Sequence, residues 1–495
     1  MMNAPFDKLH EECGVFGVYA NEDLDVVSLT YYGLYALQHR GQEGCGIAIN
    51  NRGVITAYKD SGLVGDVFTP DALEKLGSGQ MALGHVRYAT TGDNARLNVQ
   101  PLVINHRNGR IALAHNGNLT NDADLRDELE LKGSIFHTTS DTEVIAYTIT
   151  KHRLVSASLE EAIDRTMDDI QGAYSLVVMS PTKLIAARDP WGFRPLCIGK
   201  LKGNYIFSSE TCALDAIGAE YVRDVRPGEI VIANKDGLRS ITDHCETRKS
   251  ALCVFELIYF ARPDSTIDDI SVHEARQRAG AFLALEHPVQ ADVVIGVPDS
   301  GIDAAIGYAR QSGIPYGIGL IKNKYIGRTF IQPTQKDREN QVRIKLNPVA
   351  STIKGKRVVL IDDSIVRGTT SHRIVKLIRD AGAKEVHFRS SAPKFLHPCY
   401  FGTDIDSSEN LFAYKYDDEE MMKLLDVDSL GFLGTDNVTK LSPKPCTTGF
   451  CTACFTGRYP CAPPKRGGKD KYSQELPCGE DDEDGRSTPG SRTRT

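Results

Sequence analysis

Three short, mainly apolar segments in the second half of the chain constrain its fold more than any other feature. The segments 291–297 and 357–361 each lead through a glycine-containing loop into a stretch of helical character, 302–311 and 371–381, and 385–390 follows as a third strand. Apolar strands that are connected through helices belong to parallel sheets buried on both faces. The second half is therefore predicted to form a doubly wound α/β domain.

The first half has a different pattern, in which short β-branched runs alternate with glycine and Asn or Asp turns. Paired strands that are then covered by helices are typical of a layered α+β domain. Strands are predicted at 46–50, 81–86, 111–115, 174–179, 184–188 and 205–208, and helices at 122–132, 141–153 and 159–170.

Composition limits the classes of function. The chain has 495 residues, 41% hydrophobic and 25% charged, with a net charge of -7. This charge argues against nucleic acid or anionic membranes as partners, and no apolar run reaches the roughly 18–20 residues that span a bilayer. The first residues have no secretory signal pattern, so we expect a cytoplasmic protein.

The predicted organisation is a leader at 1–12, domains at 13–240 and 250–460, and a disordered tail at 461–495 with an acidic block.

The strand at 357–361 leads into DDSIVRGTT (362–370) and then into a helix. Backbone N–H groups of a Gly/Thr loop at a helix N-terminus bind phosphate, and the helix dipole assists them. The acidic pair Asp362 and Asp363 suits two vicinal hydroxyls and a divalent cation. A phosphate and a diol together describe a ribose 5-phosphate. The alternative is a turn whose Asp residues cap the helix.

This loop resembles the signature of the type I phosphoribosyltransferases. The resemblance implies that Asp362 and Asp363 hold the ribose hydroxyls of phosphoribosyl pyrophosphate (PRPP) and, with Ser300, one Mg²⁺ per subunit. The turn VPDSG (297–301) is similar to the family's pyrophosphate loop. The PRPP-binding residues expected from this resemblance are Asp299, Ser300, Gly301, Lys322, Asp362, Asp363, Arg367, Gly368, Thr369 and Thr370.

Between these two loops lies a strongly basic stretch. Residues 322–345 contain seven basic and two acidic side chains, a net charge of +5 in a protein of net charge -7. Glycine, proline and weak periodicity favour a mobile lid that closes over a polyphosphate and excludes water. A solvated basic loop is the alternative.

Cys13, in EECGVFGV (11–18), is the candidate nucleophile of the first half. Removal of the leader 1–12 would give it a free α-amine, whose reference pKa near 8 suits a base for the adjacent sulfur. Hydrolysis of glutamine also needs donors for an oxyanion and charges for the substrate's carboxylate and amine. Arg87, Asn116 with Gly117, and Asp141 could supply them, although each alone has an ordinary alternative as a surface charge, a hairpin turn or a helix cap.

The motifs GHVRYATTG (84–92), AHNGNLTN (114–121) and TTSDTE (138–143) together with Cys13 resemble the class II, N-terminal-nucleophile glutamine amidotransferases. The resemblance implies that Cys13 attacks the amide and Arg87 binds the substrate carboxylate. Asn116 and Gly117 would form the oxyanion hole, and Asp141 would bind the substrate amine. His85 and His115 are expected to be structural.

Twelve cysteines at scattered spacing favour metal or catalytic roles over disulfides. Cys451 and Cys454 form a chelating pair, for which spacing alone leaves zinc and iron–sulfur equally open. Cys446 and Cys461 flank the pair and could compete as ligands. The surrounding sequence resembles that of iron–sulfur proteins, which implies one [4Fe–4S] cluster per subunit, a structural group held by Cys253, Cys399, Cys451 and Cys454.

The two modules together resemble, over about 13–460, the glutamine-dependent phosphoribosyl amidotransferases of de novo purine synthesis, in their iron–sulfur subgroup. The expected reaction makes 5-phosphoribosylamine, glutamate and pyrophosphate from PRPP, glutamine and water. The resemblance also implies a homotetramer and purine nucleotide inhibitors. The alternatives are a regulator that binds PRPP without catalysis, an oxygen-sensing iron–sulfur protein and a glutaminase that feeds a sugar isomerase.

Overall fold

Two antiparallel sheets lie face to face in the first half of the chain. The computed structural model describes residues 13–21, 24–88, 96–323, 346–405, 407–442 and 449–465. From edge to edge, the seven-stranded sheet contains Glu220–Asp224, Cys197–Leu201, Asn204–Ser208, Gly14–Tyr19, Met81–Arg87, Gly44–Asn51 and Val54–Ser61. The six-stranded sheet contains Gly237–Ile241, Ile230–Asn234, Leu184–Arg188, Gly172–Met179, Gly109–Leu119 and Leu102–His106.

Alternation along the strands directs side chains to three cores. Val15, Leu83 and Val177 fill the space between the sheets. The outer face of the seven-stranded sheet packs on a core that includes the helix Val26–Ala36, and the outer face of the six-stranded sheet on helices that include Asp141–Arg153. The other long helices of this half are Asp122–Leu131 and Leu159–Asp169. The first half is thus a four-layered αββα domain.

A parallel sheet organises the second half. Its strands lie in the order Val293–Gly296, Arg357–Asp362, Glu385–Ser390 and Ser429–Phe432. One face packs on a core shared with the helices Val272–Glu286 and Ile302–Ser312, and the other on a core shared with Thr369–Asp380. Both faces are buried, as the apolar character of the strands predicts.

The remaining elements are short. The helices are Val64–Val67, Pro70–Leu76, Thr211–Ala216, Ala350–Ile353, Phe412–Lys415, Asp418–Leu425, Thr435–Val438 and Ala453–Thr456. The short strands are Leu252–Cys253, Thr266–Ile267, Ile270–Ser271, Leu320–Lys322, Leu346–Pro348 and Phe450–Cys451. Gln38–Arg40, Arg96–Asn98 and Ser408–Asn410 form 3₁₀ turns, and Glu256–Phe260 forms a π-helical turn. In the described part of the chain, no helix is long and apolar enough to cross a membrane.

The predicted fold class is confirmed, with one correction at the C-terminal end. Cys461 falls in the predicted tail, yet its side chain is buried and its sulfur lies 3.7 Å from the Thr120 hydroxyl oxygen. An apolar thiol gains from burial against the first half, so the packed chain continues past the predicted boundary. The leader and most of the predicted lid and tail lie outside the described residues, and the domain boundaries stay predictions.

The helices Val272–Glu286 and Ile302–Ser312 pack with their backbones in close contact. A Cβ atom on Gly280 would lie 1.8 Å from the Ala304 carbonyl oxygen, and one on Gly307 would lie 1.9 Å from that of Gln277. Only glycine permits this approach, because the obstructing atoms belong to backbone. The crossing holds the helix Ile302–Ser312, which follows the Ser300 loop, against the parallel sheet.

We therefore expect Gly280→Ala to lower the free energy of unfolding by about 1–3 kcal/mol, because the added methyl group overpacks the helix crossing. Gly65→Ala is the matched control, since a Cβ there meets only the Tyr35 ring, at 3.7 Å. Urea unfolding of both variants measures the difference. Equal stability of the two variants would contradict the close-packing argument.

Candidate active sites

Cys13 lies at the start of the strand Gly14–Tyr19, beside the end of the neighbouring strand Met81–Arg87. Its sulfur is 3.5 Å from the backbone nitrogen of Tyr88 and 3.5 Å from the Tyr88 carbonyl oxygen. The side chain is half-buried. The thiol is therefore partly exposed at the end of a central strand of the seven-stranded sheet.

Arg87 lies at the end of the strand that neighbours Cys13. Arg87 is buried and ends its strand, one residue before Tyr88. Burial, together with the charges of Arg87 and Arg96, lowers the pKa of Lys59 to about 8. The guanidinium of Arg87 is a group of the kind that binds carboxylates. The part of the GHVRYATTG motif at 89–92 lies outside the described residues.

Asn116 and Gly117 lie within the long strand Gly109–Leu119, and not in a hairpin turn. The Asn116 side-chain amide nitrogen is buried and has no hydrogen-bond partner in the described part of the chain. Gly117 has φ +144°, and a Cβ there would lie 2.1 Å from the Ala173 carbonyl oxygen. A donor that is buried without an acceptor is costly, and an oxyanion would satisfy it.

Asp141 begins the helix Asp141–Arg153, next to the Ser140 cap. One carboxylate oxygen accepts the Leu119 N–H at 3.0 Å, and the other lies 3.5 Å from His115 Nδ1. Burial raises its pKa, but His115 and the N–H donors outweigh this effect and lower the pKa overall. The carboxylate is therefore anionic, as binding of a cationic amine requires.

A histidine bridge joins the two sheets near these residues. His85 Nε2 lies 3.0 Å from the His115 carbonyl oxygen. His85 is two residues from Arg87, and His115 is adjacent to Asn116. The bridge therefore fixes the strand that carries Arg87 against the strand that carries the predicted oxyanion donors.

Arg40 is a residue of this site that the sequence reasoning missed. Its Nε donates to the Cys13 carbonyl oxygen at 3.0 Å, and its side chain is buried. It ends the 3₁₀ turn Gln38–Arg40. The only signal in the sequence is the charged pair His39-Arg40 before Gly41, which is also typical of an exposed turn.

The second site lies at the carboxyl ends of two neighbouring parallel strands, where ligands bind in open α/β sheets. Asp362 ends the strand Arg357–Asp362, and Asp363 follows it; both are buried. One oxygen of Asp363 accepts the Ser300 hydroxyl at 2.5 Å, and the other accepts the Ser364 hydroxyl at 2.6 Å. The two predicted loops therefore meet at Asp363, which the sequence alone could not establish.

Glycine makes the approach of these loops possible. A Cβ on Gly301 would lie 2.5 Å from the Ile361 carbonyl oxygen, so no larger residue fits there. Asp299, beside Ser300, pairs with the Lys322 ammonium at 2.5 Å, on the exposed side of the loop. The Ser300 hydroxyl and the Asp363 carboxylate come from separate loops, and oxygen ligands of this kind are those that Mg²⁺ prefers.

Gly368 precedes the helix Thr369–Asp380 with φ +85°, a conformation that glycine adopts without strain. Arg367 lies just before it, and Thr369 and Thr370 form the first turn of the helix. The N-terminal N–H groups and the positive dipole end of this helix follow directly on the loop that carries Asp363. The arrangement suits a phosphate group.

The four predicted cluster cysteines converge on one small apolar cavity. Cys253 and Cys451 face each other on paired parallel strands. Cys454 lies in the next turn, and its carbonyl oxygen accepts the His397 N–H at 3.1 Å, which brings Cys399 close. The cavity is lined by all four cysteines and by aromatic rings, including Phe193, Phe255, Phe395 and Phe401.

Burial raises the pKa of the Cys454 thiol, and the nearby thiols of the other three cysteines raise it further. In the described residues, no three His, Cys, Asp or Glu side chains are gathered as tightly as a single metal ion requires. A four-iron cluster is itself several Å across, so its thiolates need not converge on one point. Four thiols around one apolar cavity therefore fit a cluster. Cys446 lies outside the described residues, and Cys461 does not line the cavity.

Comparisons with known proteins cover both halves of the chain. Residues 85–216 match the glutamine amidotransferase domain and residues 267–394 match the phosphoribosyl transferase domain. The chain is 51% identical to amidophosphoribosyltransferase of Methanocaldococcus jannaschii, over 90% of this chain and 97% of the relative. It is 49% identical to the Bacillus subtilis protein of the same name, over 93% of this chain and 96% of the relative.

Two solved structures match almost the whole chain. The first is glutamine phosphoribosylpyrophosphate amidotransferase from B. subtilis in complex with ADP and GMP, with a TM-score of 0.85 and 48% identity. The match covers 91% of this chain and 98% of that one. The second is an allosteric regulatory enzyme of purine biosynthesis, with a TM-score of 0.86 and 48% identity over 92% of this chain and 97% of that one.

The histidine bridge predicts a pH dependence of stability. Burial, assisted by Arg87, lowers the pKa of His85 to about 3, whereas an unfolded histidine titrates near 6.5. Between these values the unfolded chain binds the additional proton, so His85 lowers the free energy of unfolding as the pH falls. The slope is at most about 1.4 kcal/mol per pH unit.

We expect His85→Asn to reduce this slope when urea unfolding is measured between about pH 7 and 4.5. His372→Asn is the matched control, because it removes an exposed imidazole that lies outside the bridge. An unchanged slope in His85→Asn would show that the imidazole does not stay neutral in the folded state.

Proposed function

Because the chain belongs to the amidophosphoribosyltransferase family, we propose that Cys13 and the Asp362–Asp363 loop are its two reaction centres. The enzyme converts PRPP, glutamine and water to 5-phosphoribosylamine, glutamate and pyrophosphate, which is the first step of de novo purine synthesis. The observation that carries this function is a continuous match at about half identity across both halves of the chain. A glutaminase or a phosphoribosyltransferase alone would match only one half.

In the first reaction, the Cys13 sulfur attacks the amide carbon of glutamine. Ammonia leaves with the proton taken from the thiol, and water hydrolyses the thioester to glutamate. We propose Arg87 for the substrate carboxylate and Asp141 for its amine, and the lowered pKa of Asp141 supports the second assignment. The unpartnered Asn116 amide, with the Gly117 N–H, would stabilise the tetrahedral oxyanion.

The base in this step would be the α-amine of Cys13, exposed by removal of the leader 1–12. An amine with a pKa near 8 is partly neutral at physiological pH and lies on the same residue as the thiol. Arg40 supports this assignment, because its bond to the Cys13 carbonyl oxygen at 3.0 Å fixes the orientation of that residue.

In the second reaction, ammonia attacks C1 of PRPP and pyrophosphate leaves. Asp362 and Asp363 would hold the ribose hydroxyls, and the segment from Arg367 to Thr370 would hold the 5-phosphate. The loop Asp299–Gly301 with Lys322 would bind the pyrophosphate. Ser300, Asp362 and Asp363 would hold one Mg²⁺ per subunit, which neutralises charge on the leaving group. The bond between Ser300 and Asp363 supports a shared site for these groups.

Ammonia must reach the second site in its neutral form, since ammonium is not a nucleophile. Direct transfer through an apolar passage would keep it neutral. Two contacts between the halves support such transfer. Asn118 Nδ2 donates to the Tyr400 carbonyl oxygen at 3.2 Å, and a Cβ on Gly402 would lie 3.5 Å from the Gly117 carbonyl carbon. The strand Gly109–Leu119, which carries Asn116 and Gly117, thus contacts the second half of the chain.

We further propose that Cys253, Cys399, Cys451 and Cys454 hold one [4Fe–4S] cluster per subunit. Iron–sulfur clusters are bound by four cysteine thiolates, and these four line one cavity. Cys253 and Cys451 belong to elements almost two hundred residues apart, so a cluster would staple the C-terminal segment to the core.

Regulation and assembly also belong to the proposal. The B. subtilis relative was solved with ADP and GMP, and we propose purine nucleotides as inhibitors here. A homotetramer and a cytoplasmic location follow from family membership alone. Nucleic acid and membranes are not proposed as partners.

Single substitutions separate the two reactions. We expect Cys13→Ala to lower glutamine-driven pyrophosphate release by about 10³-fold or more, because the nucleophile is lost, while high ammonia still supports synthesis. The matched control is Cys245→Ala, a half-buried thiol outside both sites, which keeps both rates. Glutamine-driven turnover in Cys13→Ala would refute the two-site scheme.

The double substitution Asp362→Asn and Asp363→Asn is expected to lower glutamine-driven and ammonia-driven synthesis alike, because both routes need the ribose and metal ligands. Asp436→Asn, an exposed carboxylate of the same half, keeps both rates. Loss of only the glutamine-driven rate would contradict the assignment of this loop.

Metal analysis tests the cysteine site. We expect about four iron and four sulfide per chain, and loss of most iron in Cys451→Ser. Cys461→Ser is the matched control, since this buried cysteine does not line the cavity. One zinc per chain without sulfide, or equal loss of iron in both variants, would contradict the cluster assignment.

A further inference from the structure

A network of four buried charges connects the two halves of the chain. Arg40, Arg194 and Glu210 come from the first half and Glu256 from the second. All four side chains are fully buried. Arg40 contacts Glu210 at 2.6 Å and Glu256 at 2.8 Å and 3.0 Å, and Arg194 contacts Glu256 at 3.2 Å. Two positive and two negative charges balance, with Glu256 shared between the arginines.

One end of the network reaches the Cys13 backbone. The guanidinium of Arg40 uses Nε for the Cys13 carbonyl oxygen and both Nη atoms for the Glu256 carboxylate. A two-pronged contact of this kind fixes the plane of the guanidinium. Glu256, together with Glu210, therefore orients the guanidinium that holds the Cys13 carbonyl oxygen.

The other end reaches the strand of the oxyanion donors. Arg194 donates from Nη2 and Nε to the Phe401 carbonyl oxygen, at 2.6 and 3.2 Å. The residues on either side, Tyr400 and Gly402, contact Asn118 and Gly117 respectively. Through Arg194, Glu256 thus braces the segment that lies against the oxyanion strand.

The surroundings of Arg40 and Glu210 favour the charged form of each. Burial alone would lower the pKa of Arg40, but Glu256 and Glu210 outweigh it and raise the pKa. Burial would raise the pKa of Glu210, but His39 and Arg40 outweigh burial and lower the pKa overall. A buried pair of this kind contributes little net stability relative to apolar packing. Geometric positioning is the more direct explanation for retaining it.

On the basis of the proposed function, we infer that Glu256, from the phosphoribosyltransferase half, is a positioning residue for the glutaminase reaction. It holds Arg40 on the Cys13 carbonyl oxygen and, through Arg194, holds the 400–402 segment against Gly117 and Asn118. It contacts neither glutamine nor the sulfur. A displacement of about 1 Å between nucleophile and oxyanion donors costs about 10²-fold in rate.

The test compares Glu256→Gln with Glu229→Gln in the purified holoenzyme. Glu229 is equally buried and accepts two bonds from Arg223 at 2.8 and 2.9 Å, but lies in neither site. We expect Glu256→Gln to lower kcat with glutamine about 10²-fold. The KM for glutamine changes little, since Arg87 and Asp141 remain, and ammonia-driven synthesis stays within about twofold of the parent rate. Glu229→Gln keeps the parent ratio of glutamine-driven to ammonia-driven rates.

Two further measurements make the result decisive. Glu256→Asp keeps the buried charge and withdraws it by one methylene, so it folds more readily and loses about 10-fold of the glutamine-driven rate selectively. If both Glu256 variants lowered the two rates in parallel, Glu256 would be structural only and the inference would be overturned. A parent enzyme that releases pyrophosphate with ammonia but not with glutamine would instead overturn the proposed function, and this inference with it.

Discussion

The arrangement of the two sites depends on the ion pairs that the Glu256 carboxylate makes with Arg40 and Arg194. The carboxylate meets Arg40 and Arg194 from the other half of the chain, where no solvent reaches any of the three side chains. Removing one partner from a buried pair leaves an unpaired charge and costs about 3–5 kcal/mol. The observed docking of the two halves keeps all these charges paired, and the reactive residues lie within that arrangement.

In both sites a glycine allows two backbone segments to approach more closely than a larger residue would permit. Gly117 allows its strand to pass within contact of Ala173, and Gly301 allows the Ser300 loop to reach the end of the neighbouring strand. Asn116, beside Gly117, lies within a regular strand, and the Ser300 hydroxyl, beside Gly301, is held by its hydrogen bond to Asp363. Rigid elements place reactive groups more accurately than loops do.

The sequence was sufficient for features that depend on local pattern. Apolar strands followed by loops predicted the parallel sheet, and the helix Asp141–Arg153 and the strands Leu184–Arg188 and Glu385–Ser390 have the predicted bounds. The DDSIVRGTT run predicted a loop between a strand and a helix, because an apolar segment precedes it and it ends in glycine and threonine, which are typical of a helix N-terminus.

Contacts between residues far apart in the chain could not be predicted in this way. Arg40 and Glu256 are 216 residues apart, and Asn118 and Tyr400 are 282 apart. Nothing near Arg40 distinguishes it from an exposed turn residue, and nothing near Cys461 indicates burial against Thr120. Burial and pairing of these side chains follow from how the halves dock, which no local pattern encodes.

The proposed glutaminase reaction requires Cys13 to react with the glutamine amide as the first residue of the active chain. The most direct test treats purified, active enzyme with a glutamine analogue that carries an electrophilic diazo ketone, and maps the product by tandem mass spectrometry. We expect one adduct per chain, on the Cys13 sulfur, in a peptide that begins at Cys13. An adduct on another residue, or on a peptide that still extends to Glu12, would contradict it.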